Sequence, residues 1–267
     1  MNKTNNKKIS RTNKKLGKKG QITVFIILAL VIIVIIAIIF LLKKPPKSIV
    51  INENNPQAYI DSCTREAVEE AITILSMNGG DIIPKGSVLY DGRERTYLCY
   101  NSEYYKPCIN QRPMLIEHIE SLITNYTTPK IANCFNNLQS EFEGRYDIEI
   151  APNMEIKTKL QPKQVSIEIN RDFKMTRKDA THEFKSFKVN ILHPIYDLAK
   201  IATEITNQES KYCNFDNLGY MIIYPDYEIK VERAGSRDED KIYIISERVS
   251  EKEFVFAIRS CLLPPGL

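Results

Sequence analysis

Six cysteines and three histidines are the residues of this 267-residue chain whose chemistry is most distinctive. Cysteine and histidine bind zinc when they recur at short intervals, as in a C-x-x-C pair. The sequence contains no C-x-x-C pair, and His118, His182 and His193 are far apart. The pattern therefore predicts no metal site, no redox-active thiol pair and no bound cofactor.

The even number of cysteines predicts three disulfides, provided that this part of the chain lies outside the cytoplasm. Sequence alone allows many pairings. The predicted elements favour three of them, because two cysteines flank a hairpin-like loop, two lie on facing helices and two bracket the last strands. These pairs are Cys99 with Cys108, Cys63 with Cys134, and Cys213 with Cys261.

No catalytic constellation is recognisable. The sequence lacks a nucleophile elbow, a zinc-protease motif, a phosphate-binding loop and a dinucleotide fingerprint. Glu117, His118 and Glu120 are close in sequence, but neighbouring residues of a helix point in different directions and do not form an acid/base site. The sequence therefore predicts no catalytic residue, although an unfamiliar enzyme is still compatible with it.

Fourteen tyrosines and no tryptophan are the remaining unusual feature of the composition. Tyr97, Tyr100, Tyr104 and Tyr105 cluster around the loop between Cys99 and Cys108. Tyrosine offers a large amphipathic contact area at low entropic cost, which suits a recognition surface. The alternative is a disulfide-pinned loop whose aromatic rings cover the core. The two interpretations stay open, and this loop is the best candidate for binding.

Asn125 is a candidate for glycosylation, because Asn125-Tyr126-Thr127 matches the acceptor motif. The same stretch has the pattern of a helix. Whether the asparagine is used therefore depends on whether it is exposed on that helix.

The periodicity of apolar residues predicts an α+β fold. Helices are indicated from Pro56 to Gly79, from Pro113 through a kink at Pro129, and over residues 194–208. Antiparallel strands are indicated by an alternating pattern in most of the rest, beginning with a hairpin at Asp91-Gly92. Residues 220–224 are apolar on both faces and predict a central strand. The result is about three helices and antiparallel β-meanders, stapled by disulfides.

A transmembrane helix is predicted over Gln21–Leu42, where Gln21 and Thr23 are the only polar residues. At about 1.5 Å per residue this stretch spans roughly 30 Å, the thickness of a bilayer's hydrocarbon core. Eight Lys or Arg residues precede it and three follow it closely. The positive-inside rule then predicts a single-pass protein of the cell membrane with a cytoplasmic N-terminus, an extracytoplasmic C-terminal domain and the lipid bilayer as a partner.

These features predict a basic tail over 1–20, the transmembrane helix over 21–42, a linker over 43–55 and an α+β domain over 56–267. The last divides into possible sub-units at 56–144 and 145–267. Eleven of the 37 basic residues lie before residue 48, leaving 26 against 33 acidic ones, a net charge of −7. An acidic domain argues against a nucleic-acid partner.

The residues just before the apolar stretch resemble a known type of signal sequence. Lys18-Lys19-Gly20-Gln21, followed directly by the apolar run, resembles the archaeal class III signal sequence of prepilins and archaellins. The resemblance implies cleavage between Gly20 and Gln21, while Phe25 replaces the family's usual Glu. The stretches YLCYNSEYYKPCINQRPML and RSCLLPPGL are similar to a group of uncharacterised archaeal single-pass proteins.

The function expected from the sequence is a binding or structural role at the archaeal cell envelope, with a pilin-like subunit as one form of it. Envelope proteins or copies of the same chain are then the expected macromolecular partners. The alternative is an anchored envelope enzyme, hydrolase-like, with an unrecognised site.

Overall fold

The computed structural model describes residues 27–33, 56–103, 105–178, 180–235 and 240–261. The described residues from Pro56 onward belong to one compact unit, and residues 27–33 belong to another. Residues 27–33 are helical (α1), and their side chains are exposed.

The predicted transmembrane helix over Gln21–Leu42 is wrong, and with it the single-pass location and topology. In the described ranges no helix is both long enough and apolar enough to cross a membrane. The other residues of the predicted span, the basic tail over 1–20 and the linker over 43–55 lie outside the described residues.

The α+β class is confirmed, with five helices and ten strands among the described residues. After α1, the helices are α2 (Pro56–Met77), α3 (Leu115–Phe142), α4 (Ile195–Tyr212) and α5 (Asn217–Ile223). The strands of the first sheet are β1 (Ser87–Tyr90), β2 (Arg93–Tyr100), β3 (Ile109–Asn110), β8 (Tyr227–Ala234), β9 (Asp240–Glu247) and β10 (Glu253–Arg259). Those of the second sheet are β4 (Asp147–Ile150), β5 (Glu155–Gln161), β6 (Gln164–Arg177) and β7 (Ala180–Leu192).

Helix α2 begins at Pro56 and ends before a pair of glycines, as its sequence predicts. Gly79 and Gly80 have φ angles of 69° and 90°, in the left-handed region that glycine adopts without strain. The backbone N–H of Gly80 donates to the carbonyl of Leu75 at 2.8 Å and closes the helix. A Cβ on Gly80 would lie 2.9 Å from Leu115 Cδ1, so this turn packs directly against the start of α3.

The first sheet has the strand order β1-β2-β10-β9-β8, with β3 pairing with β2 as well. Strands β2 and β10 are parallel, with Ala257 opposite Tyr97, whereas the other pairs are antiparallel. A parallel neighbour requires a long crossover, and here the whole second sheet lies between β2 and β10 in the chain. The predicted meander of the last strands is formed by β8, β9 and β10, and the parallel pair joins it to the β1–β2 hairpin.

The second sheet is built around the long strand β6, which pairs with β4, β5 and β7 in antiparallel register. Its buried face packs against α3 through Phe135, whose ring centroid lies 5.2 Å from that of Phe187 and 6.4 Å from that of Phe173. All three rings are fully buried. Helix α3 thus covers one face of the second sheet. The polar side chains that alternate along its strands lie on the other face.

The predicted central strand over residues 220–224 is wrong, because residues 217–223 form helix α5. Asp216 caps this helix, its carboxylate accepting a hydrogen bond from the N–H of Gly219 at 2.9 Å. An aspartate at the N-cap satisfies a backbone donor that a strand would not present. No residue of α5 is buried, so local capping determines its structure more than core packing does.

His193 joins β7 to α4 and is held in its neutral form. Its Nδ1 accepts a hydrogen bond from the backbone N–H of Ile195 at 3.1 Å, which requires that nitrogen to be unprotonated. Burial, and secondarily the charge of Lys252, lower the pKa of His193 to about 4.

The stability of the protein should therefore fall as His193 becomes protonated in the unfolded chain. Between its ordinary pKa of 6.5 and its folded pKa of about 4, only the unfolded state takes up the proton. From pH 7 to pH 4.5 the wild type should lose about 2 kcal/mol more than His193→Asn, allowing for partial exposure of the ring. Urea unfolding of both proteins at the two pH values tests this, and equal losses would contradict it.

Candidate binding site

Asp81 is the centre of a buried polar network. It follows the Gly79-Gly80 turn directly and is only 4% exposed. Its Oδ2 accepts hydrogen bonds from Thr96 Oγ1 at 3.1 Å and Arg112 Nη2 at 3.0 Å. Its Oδ1 lies 2.6 Å from His118 Nε2. Both carboxylate oxygens are thus engaged, as a buried charge requires.

Different elements bring the partners of Asp81 together. Thr96 lies in β2, Arg112 follows β3, and His118 is in the first turns of α3. The backbone N–H of Arg112 donates to Asn110 Oδ1 at 2.8 Å, and that of Gln111 donates to the carbonyl of Leu98 at 2.8 Å. These contacts fix the segment between β3 and α3 against β2, so the guanidinium is aimed at Asp81 before any ligand binds.

A cavity of about 290 Å³ opens beside this network. Its polar side chains come from Asp81, Lys85, Arg112 and His118. Its apolar side chains come from Ile82, Ile83 and Leu122. The lining of the cavity therefore combines charged and aliphatic side chains, a combination typical of small-molecule sites.

A second cavity of about 240 Å³ shares Lys85 with the first. Its lining residues are Lys85, Gly86, Ser87, Tyr97, Tyr100 and Gln111. The N–H of Tyr97 donates to the carbonyl of Gly86 at 3.0 Å and holds the Lys85 segment against β2. We refer to the two cavities on either side of Lys85 as the Lys85 cleft.

The predicted tyrosine cluster is divided between core and surface. Tyr97 is 8% exposed, and its ring centroid lies 5.0 Å from that of the half-buried Tyr100. Burial, followed by the nearby Asp240 carboxylate, raises the pKa of Tyr97, so its hydroxyl keeps its proton. Tyr105 is 75% exposed and does not line the cleft, and Tyr104 lies outside the described residues. The burial of Tyr97 fits the interpretation in which the rings cover the core, and the role of this loop as a recognition surface stays a prediction.

Three disulfides stabilise the fold, in the pairs that the predicted elements favour. Cys99 and Cys108 are joined with a Cα–Cα distance of 5.3 Å, directly beside the cleft. Asn101 Nδ2 donates to the carbonyl of Pro107 at 2.9 Å within the same loop. The other bridges are Cys63–Cys134 and Cys213–Cys261, with Cα–Cα distances of 6.2 Å and 5.4 Å.

The remaining predicted residues do not join the cleft. Asn125 is exposed on α3, and Thr127, the third residue of its motif, is buried with its hydroxyl donating to the carbonyl of Ile123. His182 is exposed on β7, and His193 lines a separate cavity. The possible cleavage position between Gly20 and Gln21 lies outside the described residues.

Sequence reasoning missed Asp81 and the pairing of His118 with it. The two residues are 37 positions apart and are joined by no motif. The one local signal is the Gly79-Gly80 pair, which places the next residue at a fixed position beside α3. Over the parts of the chain that the structure describes, no group of three or more His, Cys, Asp or Glu side chains is arranged to hold a metal ion.

Comparisons with known proteins found no match: no family model, no curated protein and no solved structure matches this chain. The geometry of the Lys85 cleft is therefore the basis on which a function can be argued.

Proposed function

We propose that this protein is a binding protein that holds a small polar ligand in the Lys85 cleft. The observation that carries the proposal is the position of Lys85, a flexible cation shared by two cavities, between the aromatic side chains of Tyr97 and Tyr100 and the network around Asp81. Clefts with a few fixed polar groups and aromatic or aliphatic walls are the usual form of ligand sites.

Preorganisation supports the same proposal. The Cys99–Cys108 bridge fixes the end of β2, and the hydrogen bonds of Asp81 fix Arg112 and His118. A site whose side chains are already immobilised loses less conformational entropy when a ligand binds. The cleft therefore has the rigidity that specific binding of a small molecule requires.

Replacing Tyr100 with alanine should weaken ligand binding about tenfold or more. The change removes a ring that lines the smaller cavity, and loss of its apolar contact area is worth about 1.5–3 kcal/mol. The full chain is screened by thermal shift against a library of organic acids, saccharides and short peptides, and hits are titrated by calorimetry. Tyr212→Ala, at a tyrosine that is 52% exposed at the end of α4, is the matched control.

A ligand that binds the wild type and Tyr212→Ala equally, and Tyr100→Ala at least tenfold more weakly, would support the proposal. A library without hits would contradict it, as would hits whose affinity changes neither in Tyr100→Ala nor in Lys85→Gln, since Lys85 lines both cavities.

A hydrolase-like enzyme is the second candidate, favoured by the Asp81–His118 contact. A carboxylate that hydrogen-bonds one imidazole nitrogen fixes the orientation of the ring. Here Asp81 lies at Nε2, at 2.6 Å, which leaves Nδ1 to take a proton from an attacking water. If the full chain hydrolyses nitrophenyl esters or phosphates and the variant His118→Gln does not, the enzyme hypothesis is supported. Absence of such turnover would decide against it.

A further inference from the structure

We infer that the larger cavity of the Lys85 cleft binds the carboxylate of a small organic acid that carries an apolar body. The inference rests on the proposed binding function and names the chemical class of its ligand. It follows from three properties of the cavity: an unused donor, a net positive charge and aliphatic walls.

The unused donor belongs to Arg112. Its Nη2 donates to Asp81 and its Nη1 to the carbonyl of Gln111 at 3.0 Å. Its Nε is buried and has no hydrogen-bond partner in the described part of the chain. A buried N–H without an acceptor is unfavourable, and a ligand oxygen that reached it would satisfy it. Lys85, whose side chain is exposed at the edge of the cavity, can donate to the same oxygen or its neighbour.

The charges favour a single negative charge on the ligand. Near neutral pH the negative charge of Asp81 is balanced by Arg112 at 3.0 Å. The charge of Lys85 is then left uncompensated, because Asp81 is the one acidic residue among the described residues that line the cavity. One excess positive charge matches a carboxylate, whereas a phosphate monoester would bring about two negative charges close to Asp81.

The aliphatic side chains that line the cavity favour a ligand with an apolar body. Ile82, Ile83 and Leu122 line the cavity together with the charged side chains, and Ile83 is 75% exposed. A large aliphatic side chain exposed beside two cations would be covered when an amphipathic acid binds. Burial of its apolar surface would then favour binding.

The test uses the full chain and three probes of similar size: benzoate, neutral benzamide and phenyl phosphate. We expect benzoate to bind saturably and at least tenfold more tightly than benzamide and phenyl phosphate. Calorimetry gives the affinities, and amide chemical shifts at Ile82, Ile83 and Leu122 locate the probe. Lys85→Gln should weaken benzoate binding about tenfold. Lys188→Gln, at an exposed lysine of β7, should leave it unchanged and is the matched control.

Equal binding of benzoate and benzamide would overturn the inference, and so would tighter binding of phenyl phosphate, an unchanged affinity in Lys85→Gln or no binding of benzoate. These failures are distinguishable from failure of the proposed function. If ligands from the library depend on Tyr100 but carry no carboxylate, the binding function stands and the inference about the acid is wrong. If no ligand depends on Tyr100 while benzoate behaves as expected, the proposal for the smaller cavity fails.

Discussion

Glu209→Gln should lower the free energy of unfolding by about 3–5 kcal/mol, the cost typical of breaking a buried ion pair. Glu209 lies on α4 and is fully buried. Its two carboxylate oxygens lie 2.6 Å and 2.8 Å from Lys241 Nζ. The hydroxyl of Tyr243 donates to the same carboxylate. The pair joins α4 to β9, across the interface between a helix and the first sheet.

The large effect comes from the groups that the substitution leaves behind. In the variant the ammonium of Lys241 would stay almost completely buried with only neutral acceptors, the amide oxygen of the glutamine and the carbonyl of Cys213 at 2.9 Å. The desolvation of that charge would no longer be compensated. Burial, followed by the nearby Glu209 carboxylate, raises the pKa of Tyr243, so the phenol stays protonated and needs an acceptor.

A double-mutant cycle separates the pair from the burial of each group. Lys241→Met alone should also destabilise, because it leaves the Glu209 carboxylate buried and unpaired. The double variant Glu209→Gln, Lys241→Met buries no charge, and it should lose clearly less stability than the two single variants combined. Urea unfolding of the four proteins measures the coupling. Additive losses would show that the two side chains do not stabilise one another.

The local features of this fold were predictable because each has a local cause. Pro56 marks the start of α2, and Gly79-Gly80 ends it because only glycine adopts two successive positive φ angles without strain. Asp91-Gly92 gives the β1–β2 hairpin, with φ angles of 49° and 70°. In each case the residues that produce the structure are neighbours in the sequence.

The parts that could not be predicted depend on contacts between distant residues. The parallel pairing of β2 with β10 leaves no local pattern, because it joins strands from opposite ends of the domain. The network of Asp81 depends on that sheet and on the start of α3, so its members have no common motif. Residues 220–224 were misassigned because an apolar run fits a strand and a helix equally, and the cap at Asp216 decides between them.

The disulfide pairs are an intermediate case, because the positions of the cysteines in the predicted helices and strands limit the pairings that are possible. Cys99 and Cys108 belong to one loop, so their pairing follows from a local hairpin-like turn. Cys63 and Cys134 are paired only because α2 and α3 pack side by side. The first bridge therefore tightens a structure that already exists locally, whereas the second holds together two elements that meet only in the folded state.

This difference predicts unequal effects of removing the bridges. The paired substitution Cys63→Ala, Cys134→Ala should lower the free energy of unfolding by about 4 kcal/mol, because its bridge closes a loop of 71 residues in the unfolded chain. The matched control Cys99→Ala, Cys108→Ala opens a bridge with a separation of 9 residues and should cost about 2.5 kcal/mol. Urea unfolding of both variants under non-reducing conditions tests the order. A larger loss for the short loop would show that the bridges act through contacts in the folded state instead of through the entropy of the unfolded chain.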